Sequence, residues 1–206
     1  VGHSKAEKIE SHERILRVAA ARFREAGLEA VGVAELMQDA GLTHGGFYRH
    51  FESREDLLAK GVEAALRDGG KGVRLIETAL DEATTAGGAL SARKRELLFA
   101  LIDWYVSISH RDDLATSCAV TSLAGDIARS NDRARLAYTR QVGVYLALLT
   151  RLVSSDKKNA NRKQAIAALA TLVGAVSMAR AVNDEKLSRE ILRCAADELK
   201  SHLGQT

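Results

Sequence analysis

The chain has 206 residues, 46% hydrophobic and 28% charged, enough to bury a sizeable core in one large domain or in a small one joined to a medium one. It contains no proline, where average usage of ~5% would give about ten. No β-branched stretch alternates with period two between hairpin turns, so an all-α fold is predicted. The net charge of +3 is only mildly basic, and the two cysteines, Cys118 and Cys194, exclude a disulfide framework.

In chain order, residues 1–8 read as a polar arm in which Ser4 and Glu7 form a capping box. Ile15, Leu16, Ala19, Ala20 and Phe23 then recur at helical spacing over Ser11–Ala26, and Gly27 ends that helix. A short helix over Val33–Ala40 follows, with Val33, Leu36 and Met37 on one side and Gly41 as its stop. Thr43 stands at the N-cap of the next helix, which runs to His50. Phe47 and Phe51, four residues apart, turn inward. His44, Gly45, Gly46, Tyr48 and Arg49 are left on the outer side. A short helix with donors, an aromatic hydroxyl and little apolar bulk outside suits a DNA major groove.

The charge around this helix is a matter of placement. Residues 1–60 hold nine Lys/Arg and ten Asp/Glu, whereas Gly41–Arg54 has Arg49, Arg54, His44 and His50 against Glu52 alone.

Ser53 starts a helix with Leu57, Leu58, Val62, Ala65 and Leu66 on its stripe. Gly69, Gly70 and Gly72 predict a kink or break, and the helical pattern resumes through Val73, Ile76 and Leu80. Thr84–Gly88 reads as a loop, Ser91–Ser109 as a helix, His110–Asp113 as a polar turn and Thr116–Arg129 as a small-residue helix. Asn131–Leu152 and Lys163–Val182 are helical, with a charged loop at Ser154–Asn161 between them. Asn183 or Asp184 caps a last helix. There is no internal repeat, no signal peptide and no apolar run of transmembrane length, which points to a cytoplasmic protein without a membrane partner.

The segments ERILRVAAARFREAG and VAELMQDAGLTHGGFYRHFESREDLL closely resemble the DNA-binding segment of the TetR/AcrR family of transcriptional regulators over about residues 12–60. Tyr48, Phe51, Ser53, Arg54 and Glu55 carry the close of that motif. The resemblance implies a helix-turn-helix DNA-binding domain at 1–56 and a helical effector-binding and dimerisation domain at 57–206. It implies a homodimer on a palindromic double-stranded DNA operator, most simply a repressor released by a small-molecule effector. Thr43, Tyr48, His50 and Arg54 then lie near phosphates, and His44, Gly45, Gly46 and Arg49 near base edges. Arg14 fits a further backbone contact. Gly32 departs from the family's usual Ser or Thr, and Gly45-Gly46 leaves little side chain to read bases, so DNA shape carries part of the specificity.

Phe99, Trp104, Tyr105, Tyr138 and Tyr145 are candidates for lining an effector pocket, or ordinary core. Cys118 reads either as a sensor thiol in that pocket or as a buried small hydrophobe, and no Lys, Arg or His lies within a turn of it. Ile166, Leu169, Val173, Val176, Arg180, Leu187, Ile191 and Ala195 are candidates for the dimer interface. Arg180, on an apolar stripe, needs a partner: an anionic ligand or, preferably, a carboxylate across the interface. The six histidines show no metal spacing, and neither a catalytic constellation nor a cofactor-binding loop is present. The competing reading is an α-helical enzyme or small-molecule carrier with an incidental helix-turn-helix.

Overall fold

A computed structural model describes residues 5–86, 90–153 and 158–204. Among them every regular element is helical: α1 (Lys5–Ala26), α2 (Val33–Asp39), a 3-10 helix (His44–Arg49), α3 (Arg54–Gly69), α4 (Lys71–Ala86), α5 (Leu90–Tyr105), α6 (Ile108–Asp112), α7 (Ala119–Ser122), α8 (Ala124–Ala128), α9 (Asp132–Leu152), α10 (Lys158–Ala181) and α11 (Glu185–Leu203). Ser4, Gly87, Gly88 and 154–157, which carry parts of the capping box and two loops expected above, lie outside the described residues.

The described residues form two compact units. The first comprises residues up to Gly69 together with Leu114–Arg140; the second comprises Gly70–Asp113 and the residues from Gln141 onward. A cut after residue 56 therefore falls inside α3 and does not separate compact bodies.

The first unit is built on α1 against α3. Ile15, Ala19, Ala20 and Phe23 are fully buried, as are Val62 and Ala65 opposite. The helices approach so closely that a Cβ at Gly61 would stand 2.5 Å from Cε2 of Phe23. Gly27 ends α1 at φ +84°, with its N–H bonded to the Phe23 carbonyl. Gly41 (φ +71°) stops α2 in a Schellman arrangement: Leu42 N–H donates to Met37 O and Gly41 N–H to Gln38 O, both at 2.8 Å.

The segment 114–140 joins this unit through a buried arginine. Arg24 donates from Nε to the Ala115 carbonyl (2.6 Å) and from Nη1 to that of Ala65 (3.0 Å). The Tyr138 hydroxyl donates to Val120 O at 2.9 Å, and Arg133 reaches Asp56 at 3.0 Å. The single helix expected over Thr116–Arg129 is two short ones. Fully buried Leu123 lies at the break, and the Ser122 hydroxyl bonds back to Cys118 O, an alternative to continuing the helix.

The second unit packs α4, α5, α6, the end of α9, α10 and α11 around Leu98, Leu101, Ile102, Tyr105, Leu148 and Leu172. Gly70 separates α3 from α4, as the glycine run predicts. Thr84 and Thr85 continue α4 where a loop was expected, their hydroxyls bonding carbonyls one turn back. The expected polar turn at His110–Asp113 is mostly helix α6, capped by the Ser107 side chain, and it buries His110 and Arg111.

Arg180 finds its partners inside its own chain. It donates to the carbonyls of His110 (2.7 Å) and Arg111 (2.8 Å), the kind of helix-end acceptor left without an intrahelical donor. Arg111 in turn bonds Ser188 (2.7 Å) and Glu185 (2.8 Å) of α11.

One expectation about apolar length changes. Asn161–Ala181 of α10 has the length and composition of a membrane span, with a mean hydropathy of 1.4. Ala165, Ala168, Leu172 and Val176 along it are buried in the second unit's core.

Candidate nucleic-acid interface

Phe47 and Phe51 are 3% and 2% exposed, with ring centroids 5.5 Å apart. Leu36 and Met37 of α2 are buried in the same unit. This packing fixes which way the intervening residues face. Tyr48 is 77% exposed, with its ring edge on Phe47. Thr43, His44, Gly45 and Arg49 are also exposed, while Gly46 and His50 are half-buried. A Cβ at Gly45 would meet nothing within 4 Å, so the backbone there is open to a close approach from outside.

The helix expected after Thr43 is a 3-10 helix, His44–Arg49. Gly46 N–H donates to Thr43 O and His50 N–H to Phe47 O, both three residues back. Two adjacent glycines each weaken an α-helix by ~1 kcal/mol, and so short a run suits the tighter form. Thr43 occupies the N-cap position in extended conformation, but its hydroxyl makes no capping bond. It is thereby left for other use.

Several carboxylates of this unit are paired with its cations. Arg22 holds Glu35 and Asp39, Arg54 meets Glu29 at 3.3 Å, and Asp56 is held by Lys60 (2.7 Å) and Arg133. Among the described residues no ion pair involves Arg49. Burial pushes the Asp56 carboxyl up, but hydrogen bonds from Lys60, the Glu52 amide and Arg133 outweigh it and hold the group below the usual carboxylate range.

Arg14 donates from Nε to the Ala40 carbonyl at 2.8 Å, so it secures the end of α2. Sequence reasoning missed the neighbours of that end on α1. Lys8 and Ser11 line a groove of about 250 Å³ with Thr43, Gly46, Arg49 and His50. His12 stacks on Phe51 (4.9 Å) and on His50 (6.0 Å). The signal was present, since His12 extends the Ile15–Ala19 stripe back by three residues. Burial, followed by the positive charge of Lys60, lowers the His12 pKa. Burial, followed by His12, Lys8 and Arg49, lowers that of His50.

The six candidates for an effector pocket are divided between the two units. Cys118 and Tyr138 belong to the first unit. Tyr105 and Tyr145 line an apolar cavity of about 10 Å³ with Val73, Leu101, Leu148 and Leu172 among others. Trp104 covers Gly72 and stacks on His110 (5.1 Å), and Phe99 lies beside Gly204, with Lys200 Nζ 5.7 Å from its ring. Of the interface candidates, Leu169 and Val176 are buried in their own unit, whereas Ile166 (47%) and Leu187 (42%) are exposed and Val173, Ile191 and Ala195 half-buried.

Residues 15–60, which hold this entire element, match the family of bacterial regulatory proteins described as the tetR family. That match covers 46 of the chain's 206 residues, the helix-turn-helix segment. Its relatives point the same way. It is 29% identical over 180 residues to an HTH-type transcriptional regulator of Mycobacterium tuberculosis strain H37Rv, covering 84% of this chain and 85% of that protein. It is 36% identical over 56 residues to the HTH-type regulator YdgC of Bacillus subtilis, covering 27% and 29%. Solved structures share the fold. A TetR regulator from Chloroflexus aurantiacus superposes with a TM-score of 0.73 at 24% identity, over 98% of both chains. The reduced form of NemR from E. coli gives 0.70 at 18% identity, over 93% of this chain and 96% of that one. The family match and the relatives together support a DNA-binding transcriptional regulator.

Proposed function

We propose that this chain is a homodimeric repressor that sits on a palindromic operator in the cytoplasm and leaves it when a small apolar molecule binds the second unit. The observation that carries the reading is the outward face of the recognition element. Tyr48, Arg49 and His44 project from a short helix whose inner side is locked by Phe47 and Phe51, beside an unobstructed backbone at Gly45. Phosphate-side groups fix register while Arg49 and His44 reach base edges.

Exposed Ile166 of α10 and Leu187 of α11, beside half-buried Val173 and Ile191, support pairing with a second copy. Such pairing would place two recognition elements about 35 Å apart, one DNA turn. The apolar side chains around Tyr105 and Tyr145 enclose only about 10 Å³ in this conformation. A ligand needs a cavity of ~300 Å³ or more. It would therefore bind an opened state and shift the population away from the operator-binding one.

The test begins with duplexes enriched from a random-sequence pool by the full chain. Half-sites one turn apart, and a protein sedimenting as a dimer, are the expected outcome. Enrichment of no sequence, or of a single undivided half-site by a monomer, refutes the reading.

A further inference from the structure

One row of charge on α11 finds no partner within the chain. Lys186, Glu190, Arg193 and Asp197 are all exposed, and among the described residues none of their side chains enters an ion pair. Spaced four, three and four residues apart, they share one face of the helix, and their charges alternate along it. In Lys186–Glu190 and Arg193–Asp197 the base precedes the acid, the weaker order for a pair four residues apart. The charges beside the row are engaged elsewhere: Lys200 holds Asp103, and Arg189 holds Glu185, each at 2.5 Å.

The row borders a groove of about 590 Å³ between α11 and the junction of α5 with α6, and Val106, Ile108, Leu192 and Ala196 are its apolar side chains. This is not the side of α11 that carries Leu187 and Ile191, which lie about a third of a turn further round the helix.

We propose that this charged face docks on the same face of a second copy, antiparallel about a two-fold axis that crosses α11 between Ile191 and Leu192. A two-fold contact must be self-complementary. In this register Lys186 stands opposite the partner's Asp197, and Glu190 opposite the partner's Arg193, with both pairs repeated by symmetry. The sequence also rejects its nearest alternatives. Shifting the axis by two residues sets Lys186 against the partner's Arg193 in one direction, and Glu190 against the partner's Asp197 in the other, like charge against like. The pairs extend over roughly 16 Å of helix at 1.5 Å per residue. Exposed ion pairs alone hold little, so the apolar side chains of the groove supply the burial and the charges supply the register. Leu187 and Ile191 stay free in this arrangement. The contact therefore adds to the pairing proposed above and joins two homodimers into a tetramer; only the size of the product rests on that reading.

Sedimentation velocity of the full chain over a concentration series, at ~50 and ~500 mM salt, tests the contact. The wild type is expected to show a dimer-to-tetramer step that weakens at high salt. Arg193→Glu and Glu190→Arg each oppose like charges across the axis, and each is expected to weaken that step roughly tenfold or more. Circular dichroism shows whether each variant is folded. Mixed in equal amounts, the two variants present opposite charges to one another, and association is expected to return towards the wild-type level. A fault within either variant's own fold is not repaired by mixing. A dimer that never grows and is indifferent to Arg193→Glu, or a tetramer indifferent to both substitutions, to mixing and to salt, overturns the proposal and leaves the homodimer reading intact. A dimer that Arg193→Glu and high salt dissociate, but that survives Ile166→Glu with Leu187→Glu, supports the charged contact and overturns pairing through the apolar edge. A chain that is monomeric at every concentration overturns both.

Discussion

Gly61→Ala sets two effects of opposite sign against each other in the small core. Gly61 lies inside α3, where alanine gains ~1 kcal/mol of helix propensity over glycine. The added Cβ would stand 2.5 Å from Cε2 and 3.1 Å from Cδ2 of Phe23, and 3.4 Å from the Ala19 Cβ. Carbon atoms pack best at ~3.5–4.0 Å, so the ring must retreat by about 1 Å. Phe23 is fully buried, and so are Ile15, Ala19 and Ala20 on the same helix, which leaves the ring little room to move. Overpacking of this kind costs ~1–3 kcal/mol and occasionally more. The clash therefore offsets or exceeds the propensity gain, and a net loss of up to ~2 kcal/mol is expected. Gly143→Ala in α9 is the control, since a Cβ there meets nothing within 4 Å and only the propensity gain applies. Urea unfolding followed by far-ultraviolet circular dichroism gives both values, with the midpoint moving and the slope unchanged. A Gly61→Ala protein as stable as the Gly143→Ala protein would refute the account of α1 packing on α3.

Three further outcomes follow from the same structure. Phe47→Ala, at a residue 3% exposed, should cost ~3–5 kcal/mol and abolish DNA binding through loss of the recognition segment's support, read as a lowered unfolding midpoint. Asp56 is held below the usual carboxylate range by Lys60 and Arg133, so its contribution is complete above the unfolded-state value of ~4 and is lost as pH falls from there through the folded pKa; Asp56→Asn should be less stable at neutral pH and show a shallower acid limb in a stability–pH profile. Gly72→Ala would bring a Cβ within 2.7 Å of Trp104, the sole tryptophan, and should shift its fluorescence as the ring is displaced from His110.

The recognition segment was legible because it obeys short-range rules. The glycine stops at Gly27 and Gly41 require positive φ, and the Phe47–Phe51 spacing fixes which side is buried. What sequence could not supply was long-range pairing. Arg24 looks like one more surface charge on α1, yet it binds carbonyls 41 and 91 residues away and helps carry 114–140 into the first unit. Arg180 was recognised as needing a partner, but backbone carbonyls carry no sequence signature, and those of His110 and Arg111 are the partners found. The aromatic residues counted as one pocket are divided between two compact units, because helical spacing places a residue on a face without saying what that face meets.

The central claim is that Tyr48 and Arg49 are held outward to touch DNA. Both are exposed and contribute little to the core, so Tyr48→Phe and Arg49→Ala should melt with the wild type. The decisive measurement is their affinity for the enriched duplex across a salt series. Arg49→Ala is expected to lose ~1–3 kcal/mol of binding, about 5- to 150-fold, and Tyr48→Phe a smaller amount through its missing hydroxyl. Two folded variants that both bind as tightly as the wild type, with the same salt slope, would contradict the account.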